Sequence, residues 1–387
     1  MLLQAGLVRT KNTVDTLIKF LTIFGVASIV YLFIGYDFMH GTGFNGSAYI
    51  PVFNRGDTAL HLFISGNRTN HYEWVFMQML LACITVSIVA GAVVERMKPW
   101  VLTVLAIVIS GIIYPTQGFW VWGEGFLNQL GFIDVSGAGV VHLCASMIGF
   151  TCLIVLGPRQ GRFDKANKIR LLPGGNLPLA TLGLVLVWIG SFGFNTGFIV
   201  NIMSVPAGTL GAILVNTQMA ASGGLLSALI LSRIFWGKAD LSISLNGAMS
   251  GLVAIAASPL APSVYWALLI GFAAGIFCVL TIVLINRSRL DDPIGIISAH
   301  GSAAMWGLIA VVFTHEFPLS VTMHESWLKQ LVTQCIGIIV ISAWSFISTW
   351  LVLWLISKIA RLRLNEQEEY RGLDQSIYGM QAYSEHD

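Results

Sequence analysis

Asp134-Val-Ser-Gly137-Ala-Gly-Val-Val-His142 and Asp292-Pro-Ile-Gly295-Ile-Ile-Ser-Ala-His300 share one spacing: an acid, a glycine three positions on, and a histidine five positions after that. Each stands at the head of a long apolar run. An ionisable group inside such a run is costly and marks a functional site. Counting crossings along the chain, the first run enters from the outer side and the second from the inner side. That is the trace of an inverted-topology repeat, which puts a site near the midplane where the halves meet. Eight residues at about 1.5 Å each set either histidine about 12 Å from its own face. In a hydrocarbon core about 30 Å thick, antiparallel helices then bring the rings within about 6 Å in depth. The spacing predicts a histidine pair at mid-membrane.

The rest of the chain agrees with a bilayer. Of 387 residues, 56% are apolar and 10% charged, and the mean hydropathy is +0.77. Soluble domains carry about 25% charged residues. This composition excludes an ordinary cytosolic enzyme, a disordered chain and a nucleic-acid binder. Ten apolar runs are long enough to span, near 14–36, 74–94, 100–118, 135–156, 176–201, 206–235, 241–259, 263–285, 294–314 and 328–358. Residues 1–8 are an eleventh run, too short to span, which reads as the inner end of a first helix whose outer half is missing. No cleavable signal peptide is legible. With Arg9–Lys11 inside, alternation leaves only Arg55, Arg68 and Lys329 of the 21 basic residues outside. By the positive-inside rule the tail is cytoplasmic and the N-terminus starts from outside. Residues 1–358 form one membrane domain and 359–387 a cytoplasmic regulatory tail. Cys83, Cys144, Cys152, Cys278 and Cys335 fall inside apolar runs without CxxC spacing and read as small buried hydrophobes.

Six other histidines, His40, His61, His71, His315, His324 and His386, fall in loops, at helix ends or in the tail, and read as solvated. The deep pair is expected to hold at most one proton, because burial disfavours imidazolium. Two rings bonded to each other leave an outward nitrogen that can donate or accept. That suits a small neutral molecule with a lone pair and N–H, or a proton relay. It does not suit a metal, which needs a third ligand. Upstream, Phe119-Trp-Val-Trp-Gly-Glu-Gly125 precedes Asp134. Trp122 could face a cation or sit in an aromatic belt. Asp134 reads as a cap on its helix start rather than a cation ligand.

These residues resemble the ammonium transporter family, Amt/Mep/Rh, over nearly the whole chain. The matching pieces include Gln4-Ala-Gly-Leu-Val-Arg-Thr-Lys-Asn12, Ala82-Cys-Ile-Thr85, Glu95-Arg96, Asp134 through His142, and Phe192-Gly-Phe-Asn-Thr-Gly197. Asn216-Thr217, Asp291-Asp-Pro293 with His300-Gly301, and the tail Glu369-Tyr-Arg-Gly-Leu-Asp374 with Tyr378-Gly379 complete it. The resemblance implies an all-α, eleven-helix bundle with an inverted five-helix repeat, assembled as a homotrimer with a pore in each subunit and no cofactor. It implies that His142 and His300 are the twin pore histidines, Trp122 part of an outer ammonium site, and Phe194 a gate phenyl. It gives the tail, with Gly372, Leu373, Asp374, Tyr378 and Gly379, a regulatory role.

Three residues depart from the family pattern. The other gate phenylalanine is Leu81 here, which removes a cation–π face worth about 0.5–2 kcal/mol. The outer-site serine is Phe198, which removes an acceptor and adds bulk. Glu124 stands where a small residue is usual, between Trp122 and Asp134. Two functions follow as expectations: ammonium or ammonia conduction across the plasma (inner) membrane, or ammonium sensing with weak conduction. In the second, the tail signals to a PII-type protein or a C-terminal output domain. An intramembrane enzyme is disfavoured, since no HExxH, P-loop or nucleophile elbow is present.

Overall fold

A run of about 20 uncharged residues in hydrocarbon can satisfy its own backbone only as a helix. The computed structural model describes residues 1–41, 48–49, 51, 71–164, 168–202, 207–314 and 326–383; the side chains of 71, 198–202 and 207 are not described. A short α1, Leu2–Leu7, comes first. Ten apolar helices follow, matching the ten runs: α2 Thr10–Met39, α3 His71–Val93, α4 Pro99–Gln129, α5 Ala138–Leu156 and α6 Leu177–Ile202. Then come α7 Ala207–Trp236, α8 Leu241–Ile255, α9 Val264–Arg287, α10 Ile297–Phe313 and α11 Trp327–Ser357. In the tail, α12 covers Glu366–Arg371. Among the described residues, eight helices are long and apolar enough to cross a membrane, and α8 and α10 are shorter apolar ones. Large apolar side chains stay exposed on the outer faces, such as Leu182 and Ile189 on α6 and Ile339 and Ile347 on α11. A helix apolar on both its inner and outer faces belongs in lipid.

Small residues let the backbones close up. Gly251 of α8 and Gly271 of α9 both lie against the backbone of Ala220 in α7, so a Cβ at either glycine would collide with it. Gly183 of α6 meets the backbone of Leu3 in the same way, which seats α1 along α6.

The tail is tied to the helix ends on one face of the bundle, called here the tail face. Asp374 accepts the N–H groups of Val14 (2.9 Å) and Asp15 (2.8 Å). Leu373 N–H donates to Asn12 Oδ1 (2.9 Å), and the Tyr378 hydroxyl donates to Asp15 Oδ1 (3.3 Å). Gly372 and Gly379 have φ of +96° and +63°, left-handed turns that a side chain would strain. Buried Glu369 accepts from Arg363 Nη2 (2.8 Å) and from the Gln160 N–H (2.6 Å). Asn365 and Glu368 close a capping box that starts α12. Inside the first turns of α2, buried Lys19 pairs with Asp15 (2.7 Å) and donates to Met97 O (3.0 Å).

One histidine corrects its expectation of solvation. His40 packs on Tyr36 (ring centroids 4.6 Å) and Trp74 (6.1 Å), and its Nε2 is buried without a partner. Tyr36 lies one helical turn before it on α2, so the aromatic pair covers what the sequence left open. His61, His315, His324 and His386 lie outside the described residues, and the side chain of His71 is not described.

Candidate functional site

The two sequence-matched segments build the same local structure from opposite faces. Asp134 Oδ2 accepts the N–H groups of Gly139 and Val140, both at 2.9 Å. Asp292 accepts those of Ile296 (2.9 Å) and Ile297 (2.7 Å). Each carboxylate thus caps donors that a helix start leaves orphaned. Gly137 and Gly295 take φ of +93° and +82°, so each chain reverses sharply onto its helix. Both helices then open into π-helical turns, Ala138–Leu143 and Ile297–Ser302, that carry the histidines. Such wide turns recur at functional sites.

The rings meet. His142 Nδ1 and His300 Nδ1 are 3.2 Å apart, with ring centroids 5.1 Å apart and planes inclined by 23°. One Nδ1 carries the shared proton and the other accepts it. In a neutral pair, one Nε2 is then left as an acceptor and the other as an N–H donor.

Both rings line a cavity of about 590 Å³. It reaches between α2, α3, α6 and α8. Its wall is mostly apolar: Met77, Leu81, Ile84, Val187, Phe194 and Leu252. The Phe194 ring lies 6.0 Å from that of His142. Leu81 is buried and lines the same space. The Phe198 side chain lies outside the described residues.

Trp122 and Glu124 do not line the cavity. The Trp122 indole N–H donates to Asp134 O (2.7 Å), and its ring lies over Gly137. That bond ties α4 to the loop that leads into the His142 helix. Glu124 is exposed beyond it. Asp134 is buried, and its second oxygen, Oδ1, has no hydrogen-bond partner. The tail residues Gly372, Leu373, Asp374, Tyr378 and Gly379 are gathered at the start of α2, apart from the histidines.

Several polar residues of the site carried no role in the sequence reading. Gln4, Asn195 and Asn246 line the cavity, and Gln4 Oε1 and Asn195 Oδ1 are buried without partners. The signal was present: an amide in each of Gln4–Asn12 and Phe192–Gly197, inside otherwise apolar stretches. A charged knot on the tail face was also missed. Asp291, next to the capping Asp292, binds Arg159 Nε (2.7 Å) and Arg96 Nη1 (3.2 Å). Arg159 also pairs with buried Glu95 at 3.4 Å. Burial alone would raise the Asp291 carboxyl, but the bonds and charge of Arg159 and the charge of Arg96 outweigh it and hold it at about 2. Burial brings the Arg96 guanidinium down to about 10, opposed by Asp291.

A model of the Ammonium Transporter Family matches residues 1–383. The chain belongs to the ammonium transporter family. Family members are multi-pass membrane transport proteins, not enzymes. Ammonium transporter Amt2 of Archaeoglobus fulgidus is 31% identical over 402 residues, covering 99% of this chain and 84% of that one. A solved structure described as a sensor Amt protein is 31% identical with a TM-score of 0.89, covering 97% of this chain and 93% of that one. Mep2 of Saccharomyces cerevisiae shares the fold at 23% identity, with a TM-score of 0.80 over 95% of this chain and 83% of that one.

Proposed function

We propose that this family member conducts ammonium nitrogen through a pore at His142 and His300. What supports the reading is the 3.2 Å contact between two rings inside a mostly apolar cavity. A bare cation entering a low-dielectric core faces a cost on the order of 20 kcal/mol. Ammonium escapes it by leaving a proton behind and crossing as ammonia. Potassium has no proton to leave, so it is rejected. The donor and acceptor nitrogens of the pair suit a molecule with one lone pair and several N–H bonds. Phe194 and Leu81 form the gate above the pair. Trp122 and Glu124 belong to the outer approach, and Asp134 acts as the cap that aims the His142 helix.

The same reading sets the protein in the plasma (inner) membrane as a homotrimer, with its tail face cytoplasmic and its N-terminus coming from outside. Residues 1–358 are the conducting module and 359–387 the regulatory tail. A second reading, ammonium sensing with weak conduction, is favoured by the likeness to the sensor Amt protein and by the firmly seated tail. The tail then reports to a PII-type protein or an attached output domain.

The test is ammonium-driven current from purified protein reconstituted into liposomes on a supported bilayer. Conduction expects a current that saturates with ammonium, is absent with potassium, and disappears in His142→Ala/His300→Ala. Wild-type current in the double variant ends the pore reading. Ammonium binding without current moves the assignment to sensing.

A further inference from the structure

The inner cations of the tail face are already paired. Arg96, Arg159 and Arg162 gather on Asp291, and Arg363 binds Glu369. Lys168, Arg170, Arg287 and Arg289 differ. All four are exposed, and none makes an ion pair among the described residues. Lys168 and Arg170 lie on the hairpin between α5 and α6, which Phe163 and Ile169 close as an antiparallel bridge. Arg287 ends α9, and Arg289 follows it.

One guanidinium joins the two elements. Arg162 Nη1 donates to Arg170 O (3.0 Å), and its Nη2 donates to Asn286 Oδ1 (2.7 Å). Both acceptors lie within reach of a single planar fork, so the hairpin is held against the end of α9 and the four cations form one patch. Asp164, the acid on the hairpin, accepts the backbone N–H of Lys168 (2.7 Å). The patch also has an apolar edge. Ile169 and Leu171 alternate with Lys168 and Arg170, and Leu171 is 84% exposed. On α9, Leu284 is 62% exposed and stands one turn before Arg287, on the same side of the helix. Water gives such leucines nothing. A membrane interface takes them among its acyl chains and leaves the cations at phosphate level.

We infer that this patch binds an anionic phospholipid, its phosphate among the four cations and its acyl chains along Leu171 and Leu284. A soluble anion would match only the cationic half. The inference goes beyond the pore reading and rests on the membrane setting, whatever the pore carries.

The test is lipid binding to the full-length protein in detergent, read by native mass spectrometry with phosphatidylglycerol and phosphatidylcholine of identical chains. Wild type should favour phosphatidylglycerol, and salt should weaken that preference, because exposed charges are screened. A cation beside an anionic headgroup contributes about fivefold. Lys168→Gln/Arg170→Gln and Arg287→Gln/Arg289→Gln should therefore each cut the preference by about ten- to twentyfold, at unchanged thermal midpoints. Leu171→Ser should weaken both lipids alike and keep the preference. Lys358→Gln/Arg361→Gln, which removes two exposed cations after α11, should leave it unchanged. An equal loss in that control would mean a diffusely positive face and overturn the site, as would a wild type indifferent to headgroup. Displacement by glycerol phosphate at equal concentration would assign the patch to a soluble anion and overturn the lipid. Binding seen only after the oligomer is dissociated would make the patch a contact between subunits, and would overturn it too.

Discussion

The two histidine helices start alike and are anchored differently. At the far face, the His142 helix starts in a neutral net. Gln334 binds both Ile133 N (2.9 Å) and Ile133 O (2.9 Å), and Val135 and Ser136 donate to Ala257 O and Ala256 O. At the tail face, the His300 helix starts beside a knot of buried ions. Asp291 there gathers Arg96, Arg159 and Arg162. Arg159 precedes Gln160, whose N–H binds Glu369 of the tail. One histidine is thus held by amides and backbone, the other by charges that continue into the tail. The lesson is that a repeated motif fixes geometry, while its surroundings decide what can disturb it. The far end answers to packing, and the tail end answers to charge.

The largest difference should appear with Arg159→Ala. It leaves Asp291 buried with weaker pairing, and breaking a buried ion pair costs about 3–5 kcal/mol. Chemical unfolding of the detergent-solubilised protein should register it, and 1 M salt should not restore it, because buried pairs are poorly screened. If Gln334→Ala at the far face costs as much, the contrast in anchoring is mistaken.

Acid gives the next largest effect. Asp291 stands at about 2 in the folded chain, against about 3.9 unfolded. A depressed carboxyl contributes stability above its unfolded value and loses it as pH falls towards the folded one. About 2–3 kcal/mol should therefore vanish between roughly pH 4 and 2, with no change from this group between pH 5 and 8. Asp291→Asn should flatten that acid limb in an unfolding series.

Asp134 offers a smaller, neutral test of the far end. Asp134→Ala frees two buried N–H groups and should cost about 2 kcal/mol with reduced folding yield. Asp134→Asn should cost under about 1 kcal/mol and keep partial function, since Asn caps about as well. Complete and equal loss of function in both folded variants would give Asp134 a direct charge role. The smallest effect belongs to Tyr378→Phe, which drops one hydrogen bond to Asp15 and about 0.5–1 kcal/mol. Faster proteolytic clipping of the tail, without a shift in the main unfolding transition, would register it.

The ten apolar runs and the paired Asp-x-x-Gly spacing could be read because both are local patterns, set by hydrocarbon thickness and helix pitch. The charged knot could not, because Arg96 and Asp291 stand 195 residues apart and nothing in either stretch names the other. His40 was misread for the same reason: Trp74 reaches it from another helix. The Asp15–Lys19 pair went unread in the sequence, although an acid and a base stand one turn apart in an apolar helix. The breadth of the cavity was not legible, since volume depends on how α2, α3, α6 and α8 are set against each other.

The wide turns under the histidines have a genetic meaning. A π-turn is an α-helix carrying one residue more than its pitch accommodates. Each half of the repeat therefore owes its inward histidine to a count of residues as well as to their kinds. Removing a single codon within Ala138–Leu143 or Ile297–Ser302 would close the wide turn to an ordinary α-turn and take away the local geometry that carries the ring, while every named side chain survived. Insertions and deletions, which substitution scans never sample, are the changes to which this pair is most vulnerable.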